Sequence, residues 1–215
     1  MLPPFITLEG GEGAGKSTQI KLLSDALNRA NVAHLLTREP GGSEGGEELR
    51  DLVVKGEPGR WDPVSEAMLF MTARYHHMTH RINPAREQGQ WVVCDRFFDS
   101  TRVYQGISKA VGDQWLKQLY AHLLGNNKPD VTFVLDIDPQ QGLARTQERS
   151  GDETRFESMD IAFHEAVREG FLRIAEHEPE RCYVVDASQN PQQVHKSILD
   201  ILNTRFNMQL TPSEL

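Results

Sequence analysis

Residues 10–17 read Gly-Gly-Glu-Gly-Ala-Gly-Lys-Ser, between the apolar run Phe5-Ile6-Thr7-Leu8 and a segment of helical periodicity. This is the pattern G-x-x-x-x-G-K-[ST] in the setting it requires, strand then turn then helix. Gly10, Gly13 and Gly15 allow a tight turn whose N–H groups face a polyphosphate, with Gly11, Glu12 and Ala14 completing the loop. The helix that opens at Lys16 adds the positive end of its dipole. Lys16 reaches outer phosphates, the Ser17 hydroxyl suits a magnesium ion, and Thr18 follows in the same helical turn. The other reading is a glycine-rich turn ahead of a core helix.

The rest of the chain must therefore supply a sheet for that strand. Five short apolar runs read as strands: Phe5–Glu9, Val32–Thr37, Trp91–Asp95, Val131–Ile137 and Cys182–Asp186. They are nearly continuous rather than alternating, which predicts a parallel sheet covered on both faces. Helical segments lie between them at 16–30, 62–87, 112–125, 139–149, 157–177 and 191–206. The second of these ends or kinks at Pro84. Ile20, Leu23 and Leu27 form one apolar stripe, Ile161, His164, Val167, Phe171 and Ile174 another, and Val194, Ile198, Ile201 and Leu202 a third. Residues 38–48 and 150–156 read as irregular. The class is α/β, three layers with a five-stranded parallel sheet and right-handed crossovers. Gly10, Arg38, Asp95 and Asp136 fall at carboxyl ends of strands, where open parallel sheets place their sites.

The chain has 215 residues, the size of one domain (1–215), and carries a formal net charge of −8. An acidic chain argues against a long nucleic-acid partner but not against a small anion met by local arginines. No apolar run approaches the roughly 18 residues of a membrane span. With Cys94 and Cys182 the only cysteines, both in apolar runs, two reduced buried thiols are expected. The first strand starts at Phe5, so no signal peptide is expected.

Several pairs carry chemistry or merely structure, and spacing leaves both readings open. Asp95-Arg96 ends the run Trp-Val-Val-Cys-Asp: a carboxylate for a magnesium-bound water beside a phosphate-binding arginine, or an ordinary strand-end ion pair. Arg38-Glu39-Pro40-Gly41-Gly42 is a shaped loop with charge at its mouth, or a plain turn. Phe70 and Arg74 share a helix face, as a ring for a base and a guanidinium for its carbonyl, or as a surface cation–π pair. Arg145, Arg149 and Arg155 surround Ser150-Gly151-Asp152 as a lid over phosphates at about 142–157, or as a solvated helix end. His76, His77 and His80 lack a carboxylate placed to complete a metal site and read as structural or surface residues.

Taken in order, these motifs resemble bacterial thymidylate kinases, within the P-loop nucleoside monophosphate kinases, over nearly the whole chain. The matching stretches are Glu-Gly-Gly-Glu-Gly-Ala-Gly-Lys-Ser-Thr at 9–18, Arg-Glu-Pro-Gly-Gly at 38–42, Phe-x-x-x-Arg at 70–74, Asp-Arg-Phe-x-x-Ser-Thr-x-x-Tyr-Gln-Gly at 95–106 and Pro-Asp-Val-Thr at 129–132. The resemblance implies transfer of the γ-phosphoryl group of ATP, with Mg2+, to thymidine 5′-monophosphate (dTMP) for dTTP synthesis. It implies that Phe70 stacks on thymine and Arg74 donates to its O4. Ser100, Thr101 and Gln105 line the pocket with Glu39 and Pro40, and Tyr104 crowds the place of a ribose 2′-hydroxyl. Arg38, Arg50 and Arg96 hold the acceptor phosphate, and Glu12 approaches the sugar 3′-hydroxyl. Ser17 and Asp95 serve the metal. Arg149 and Arg155 match lid arginines of the class whose phosphate loop lacks one, as Gly13 does here. The chain departs from the family at Phe97 for tyrosine, Val103 for alanine and Thr154 for aspartate. A cytoplasmic homodimer is implied, without nucleic-acid or membrane partners.

The acceptor phosphate is already an oxyanion, so the expected catalysis is positioning and charge neutralisation without a general base. The rivals are a deoxynucleoside kinase using Glu39 as base, another monophosphate kinase, and a GTP-binding switch. The last is disfavoured because the chain has no Asn-Lys-x-Asp motif.

Overall fold

The computed structural model describes residues 2–55, 59–107, 110–147 and 159–212. Along the chain run β1 (Phe5–Glu9), α1 (Lys16–Arg29), β2 (His34–Arg38), α2 (Glu44–Val54) and α3 (Pro63–His77). A π-helical turn, Met78–Ile82, joins α3 to α4 (Asn83–Glu87), followed by β3 (Trp91–Asp95) and α5 (Phe98–Thr101). A second π-helical segment, Arg102–Ile107, leads to α6 (Asp113–Leu124), β4 (Val131–Asp136), α7 (Pro139–Gln147), α8 (Ile161–His177), β5 (Cys182–Asp186) and α9 (Pro191–Phe206). All five strands are parallel, in the order β2-β3-β1-β4-β5.

Side chains on a strand alternate between faces, and the core divides accordingly. Ile6, Leu8, Val93, Phe133 and Leu135 pack against Leu23 and Leu27 of α1 and Ile198 and Leu202 of α9. Phe5, Val92 and Cys94 face the other way, onto Met71 of α3 and Leu116 and Tyr120 of α6. Val134 and Cys182 meet Val167 and Phe171 of α8. Both cysteines are buried and free. The central strands are covered on both faces as expected, but the edges are not: Leu36 of β2 is 43% exposed and Val184 of β5 49%.

Three expectations need correction. Residues 44–48 are the first turn of α2, not irregular chain; Gly45 and Gly46 weaken the local helix signal. They are needed because a Cβ on Gly46 would lie 2.7 Å from the Gly41 carbonyl oxygen. Of the two alternatives at Pro84, an end to the helical segment is ruled out, since Pro84 sits in the first turn of α4. The π-helical turn directly upstream opens the ladder where proline has no N–H to give. Ile161 is exposed rather than part of the α8 stripe, and Ile20 and Ile201 are only half-buried. Of the anticipated lid, residues 148–158 lie outside the described residues, and Arg149, Thr154 and Arg155 with them.

Residues 98–107 were not expected to be helical. Their support is long-range. Asp99, buried in α5, accepts from Arg102 Nη1 at 2.9 Å and from Arg181 Nη1 and Nη2 at 2.7 and 2.9 Å. Arg102 continues to Asp113 and Glu178, each at 2.7 Å. Removing one member of a buried ionic network leaves the others uncompensated. Asp99→Ala should therefore lose about 3 kcal/mol of stability, lowering the thermal midpoint by about 10 °C. An unchanged midpoint in calorimetry would contradict the assignment.

Candidate active site

The parallel register gathers charge at one end of the sheet. Arg38 pairs in register with Asp95, and Asp95 with Leu8, one residue before Glu9. The glycine loop leaves β1 there, with Gly10, Gly13 and Gly15 all at positive φ. Gly13 also has no room: a Cβ would lie 1.9 Å from the Gly142 carbonyl oxygen. Gly142 of α7 is hemmed in reciprocally, its Cβ position 2.4 Å from the Glu12 oxygen. The loop is thus clamped, backbone to backbone, by the helix that leads into the anticipated lid. Gly142 carries no chemistry, and no sequence motif marks it.

Lys16 folds back over the loop, donating to the carbonyls of Gly10 at 3.0 Å and Gly11 at 2.9 Å. Burial, then the neighbouring Arg96 guanidinium, depress its pKa to about 8. Gly15 at the N-cap of α1 offers no side-chain acceptor, as suits a helix end that receives phosphate oxygens. Ser17 Oγ lies 3.5 Å from Asp95 Oδ2, while Asp95 Oδ1 is buried without a hydrogen-bond partner among the described residues. An unsatisfied carboxylate oxygen and a hydroxyl beside a phosphate loop fit a hydrated Mg2+.

Beside the loop opens a cleft of about 320 Å³ that runs from Lys16 to Gln105. It brings together Glu12, Gly13, Ala14, Gly15, Lys16 and Ser17 with Arg38, Glu39, Pro40, Arg50, Phe70, Arg74, Asp95, Arg96, Ser100, Thr101, Tyr104 and Gln105. Gly10 and Gly11 border a smaller recess against α8, and Thr18 lines neither. Arg149 and Arg155 are outside the described residues; Thr146 of α7 reaches the rim.

At the end of the cleft beside the glycine loop, Arg96 takes a left-handed backbone conformation (φ 63°). Its Nη2 donates to Glu12 Oε1 at 2.8 Å, and its Nη1 to the Gly10 carbonyl at 3.1 Å and Ser100 Oγ at 3.2 Å. The Tyr104 hydroxyl donates to the same Glu12 oxygen at 3.0 Å, with its ring against the guanidinium. Burial opposes ionisation of Glu12, but Arg96 and Lys16 outweigh it and hold the carboxyl below its ordinary range. Asp95-Arg96 is therefore no simple strand-end ion pair, since Arg96 pairs with Glu12. Arg38 is half in solvent, bonded to Glu47 at 3.0 Å, and Arg50 donates to the Pro40 carbonyl at 2.6 Å.

At the far end, Arg74 is only 2% exposed and is not part of a surface pair. Its Nε and Nη2 grip Glu39 Oε2 at 2.8 and 2.7 Å, and Nη2 also donates to Thr101 Oγ1 at 3.0 Å. The guanidinium lies over the rings of Phe97 and Phe98 at 5.1 and 5.5 Å. Glu39 is correspondingly buried beneath the pocket rather than lending charge to the loop's mouth, because Arg74 and His77 hold both its oxygens. Phe97, in place of tyrosine, is packed edge-on against Phe5. Val103 fits because Gly170 of α8 leaves the space: a Cβ there would approach Val103 Cγ1 to 3.1 Å.

Several supporting residues escaped sequence reasoning. Glu9, fully buried, accepts from the N–H of Phe97 at 2.8 Å and from the Ser100 hydroxyl at 2.6 Å, capping α5. Burial and nearby Asp99 push its pKa up to about 7. Glu66, also buried, accepts from Gln105 Nε2 at 2.8 Å, which turns the Gln105 carbonyl away from that carboxylate. A charged residue inside an otherwise apolar stripe was the available signal for both. His76 and His80 stack on each other at 3.9 Å, and no metal-binding cluster occurs among the described residues.

Comparison with known proteins agrees with this geometry. The family model described as thymidylate kinase matches residues 8–198. A thymidylate kinase of Magnetococcus marinus is 46% identical over 202 residues, 94% of this chain and 96% of the relative. One from Caulobacter vibrioides is 45% identical over 204 residues, covering 95% and 98%. The crystal structure of thymidylate kinase from Ehrlichia chaffeensis superposes with a TM-score of 0.74 at 33% identity, over 94% of this chain and 99% of that one. A five-stranded parallel sheet with this cleft, matched along almost its full length, places the chain in the thymidylate kinase family.

Proposed function

We propose that the cleft binds dTMP between Phe70 and the phosphate loop and receives onto it the γ-phosphoryl group of ATP, giving the diphosphate. The observation that carries this reading is Arg74, a buried guanidinium held by Glu39 and Thr101 in the same cleft as Lys16. Phe70 supplies a ring face for the base, and Arg74 a donor for its O4. Gln105 and Thr101 border the base and sugar. Tyr104 fills the space of a 2′-hydroxyl, and Glu12 faces the 3′-hydroxyl. Arg96, Arg38 and Arg50 take the acceptor phosphate, with Ser100 steadying Arg96.

The donor lies along Gly10–Thr18, with Lys16 at its outer phosphates. Ser17 and Asp95 hold Mg2+, which when bound withdraws charge from the phosphate oxygens. Arg149 and Arg155 are assigned the bridging positive charge of the lid on the resemblance alone. No group is needed to remove a proton from the acceptor. This disfavours a nucleoside kinase using Glu39 as base, because both oxygens of Glu39 are occupied by Arg74 and His77. The family reading carries with it a cytoplasmic homodimer.

A coupled assay of ADP release should show ATP consumption that depends on dTMP and is much weaker with adenosine monophosphate. Equal consumption without dTMP would end the proposal. Arg96→Ala should lower kcat at least about 100-fold while circular dichroism stays that of the folded protein; near-normal turnover would remove Arg96 from the machinery. Lys16 gives a pH signature. In the empty protein its pKa is about 8, and phosphate oxyanions raise it toward the ordinary value near 10.4. Lys16 should therefore take up about half a proton on nucleotide binding at pH 8, and its own contribution should fall toward zero at pH 6.5. Calorimetry in buffers of different ionisation enthalpy reads this, and buffer-independent heats at pH 8 would contradict it.

A further inference from the structure

Among the three histidines of the α3 region, His77 stands apart. It is fully buried, in contact with neither solvent nor the cleft. Its Nδ1 lies 3.0 Å from Glu39 Oε1 and its Nε2 2.6 Å from Thr37 Oγ1. The carboxylate only accepts, so Nδ1 carries the proton and donates. Glu39 Oε1 has no other donor among the described residues, while Oε2 is gripped by Arg74. Glu39 is thus bonded on one side to His77 and on the other to Arg74. The loop closes over the arrangement, since a Cβ on Gly42 would lie 2.4 Å from both His77 Nε2 and Thr37 Oγ1.

From this we infer that His77 is a positioning residue for recognition of the acceptor base: by donating to Glu39 it fixes the carboxylate plane, and through it the angle at which Arg74 meets the pyrimidine. Without the Nδ1 donor, Oε1 is left buried and unpaired. The carboxylate then rotates toward another partner and draws the guanidinium with it. The inference rests on the assignment of Arg74 to the base. It makes His77 a determinant of dTMP affinity without contact to dTMP, and it leaves the ATP side untouched.

Two isosteres separate this from a packing role. Asparagine at 77 places an amide N–H where Nδ1 was and abandons Thr37; glutamine reaches toward Thr37 and abandons Glu39. His77→Gln should raise KM for dTMP about tenfold, the scale of one lost hydrogen bond to a charged group, with KM for ATP unchanged. His77→Asn should raise it less than threefold. In the empty protein, the Arg74 Nε–H resonance should stay protected from exchange in His77→Asn and lose protection in His77→Gln. Equal KM values in the two variants, a His77→Gln value within twofold of the wild type, or a parallel rise in KM for ATP would overturn the inference. If His77→Gln does not fold, His77→Asn decides alone: retained protection with less than a threefold rise supports the relay, and lost protection or a tenfold rise overturns it. Arg74→Lys is the control. Unchanged KM for dTMP there defeats the base assignment itself, whereas a raised value beside a silent His77→Gln defeats only the relay.

Discussion

The cleft depends on the carboxylates that hold its arginines. Glu39 holds Arg74, Glu12 holds Arg96, and Asp99, within the helical segment that carries Thr101, Tyr104 and Gln105, binds Arg102 of that segment and Arg181 from before β5. Such pairs are a poor device for stability, because desolvating both charges offsets most of their attraction. Their use here is directional. A guanidinium has five donors in a fixed fork; when a carboxylate occupies one edge, the other points one way. Donors aimed before the ligand arrives need no reorganisation during reaction, which is where electrostatic catalysis draws its strength.

The same constraint explains where backbones must touch. The phosphate loop is steep because Gly10, Gly13 and Gly15 turn through positive φ. It lies hard against α7, where Gly13 and Gly142 approach too closely for any Cβ. α7 packs on the carbonyl of Glu12 through Gly142, and the Glu12 side chain in turn holds Arg96.

Much of this was legible in the sequence, for local reasons. Uninterrupted apolar runs five or six residues long admit few structures besides buried parallel strands, and β1, β3 and β5 appear with the bounds read from them. The glycine loop announces itself because its chemistry and geometry are contiguous. What escaped reading depends on partners far along the chain. The helix at 98–107 is stabilised by Arg181 and Glu178, and α2 begins with two glycines whose value lies in contact with the loop at 41 and with His76. Glu9, Glu66 and His77 carry no motif of their own. Each is a polar residue in an apolar setting, and only the fold reveals which donor or acceptor it serves.

The most direct test is a crystal structure with dTMP bound. Thymine should lie on the Phe70 ring, with its O4 facing Arg74 while Arg74 still grips Glu39 Oε2. A base bound elsewhere, or an Arg74 that has left Glu39 to reach the ligand, would show that the guanidinium was not aimed in advance.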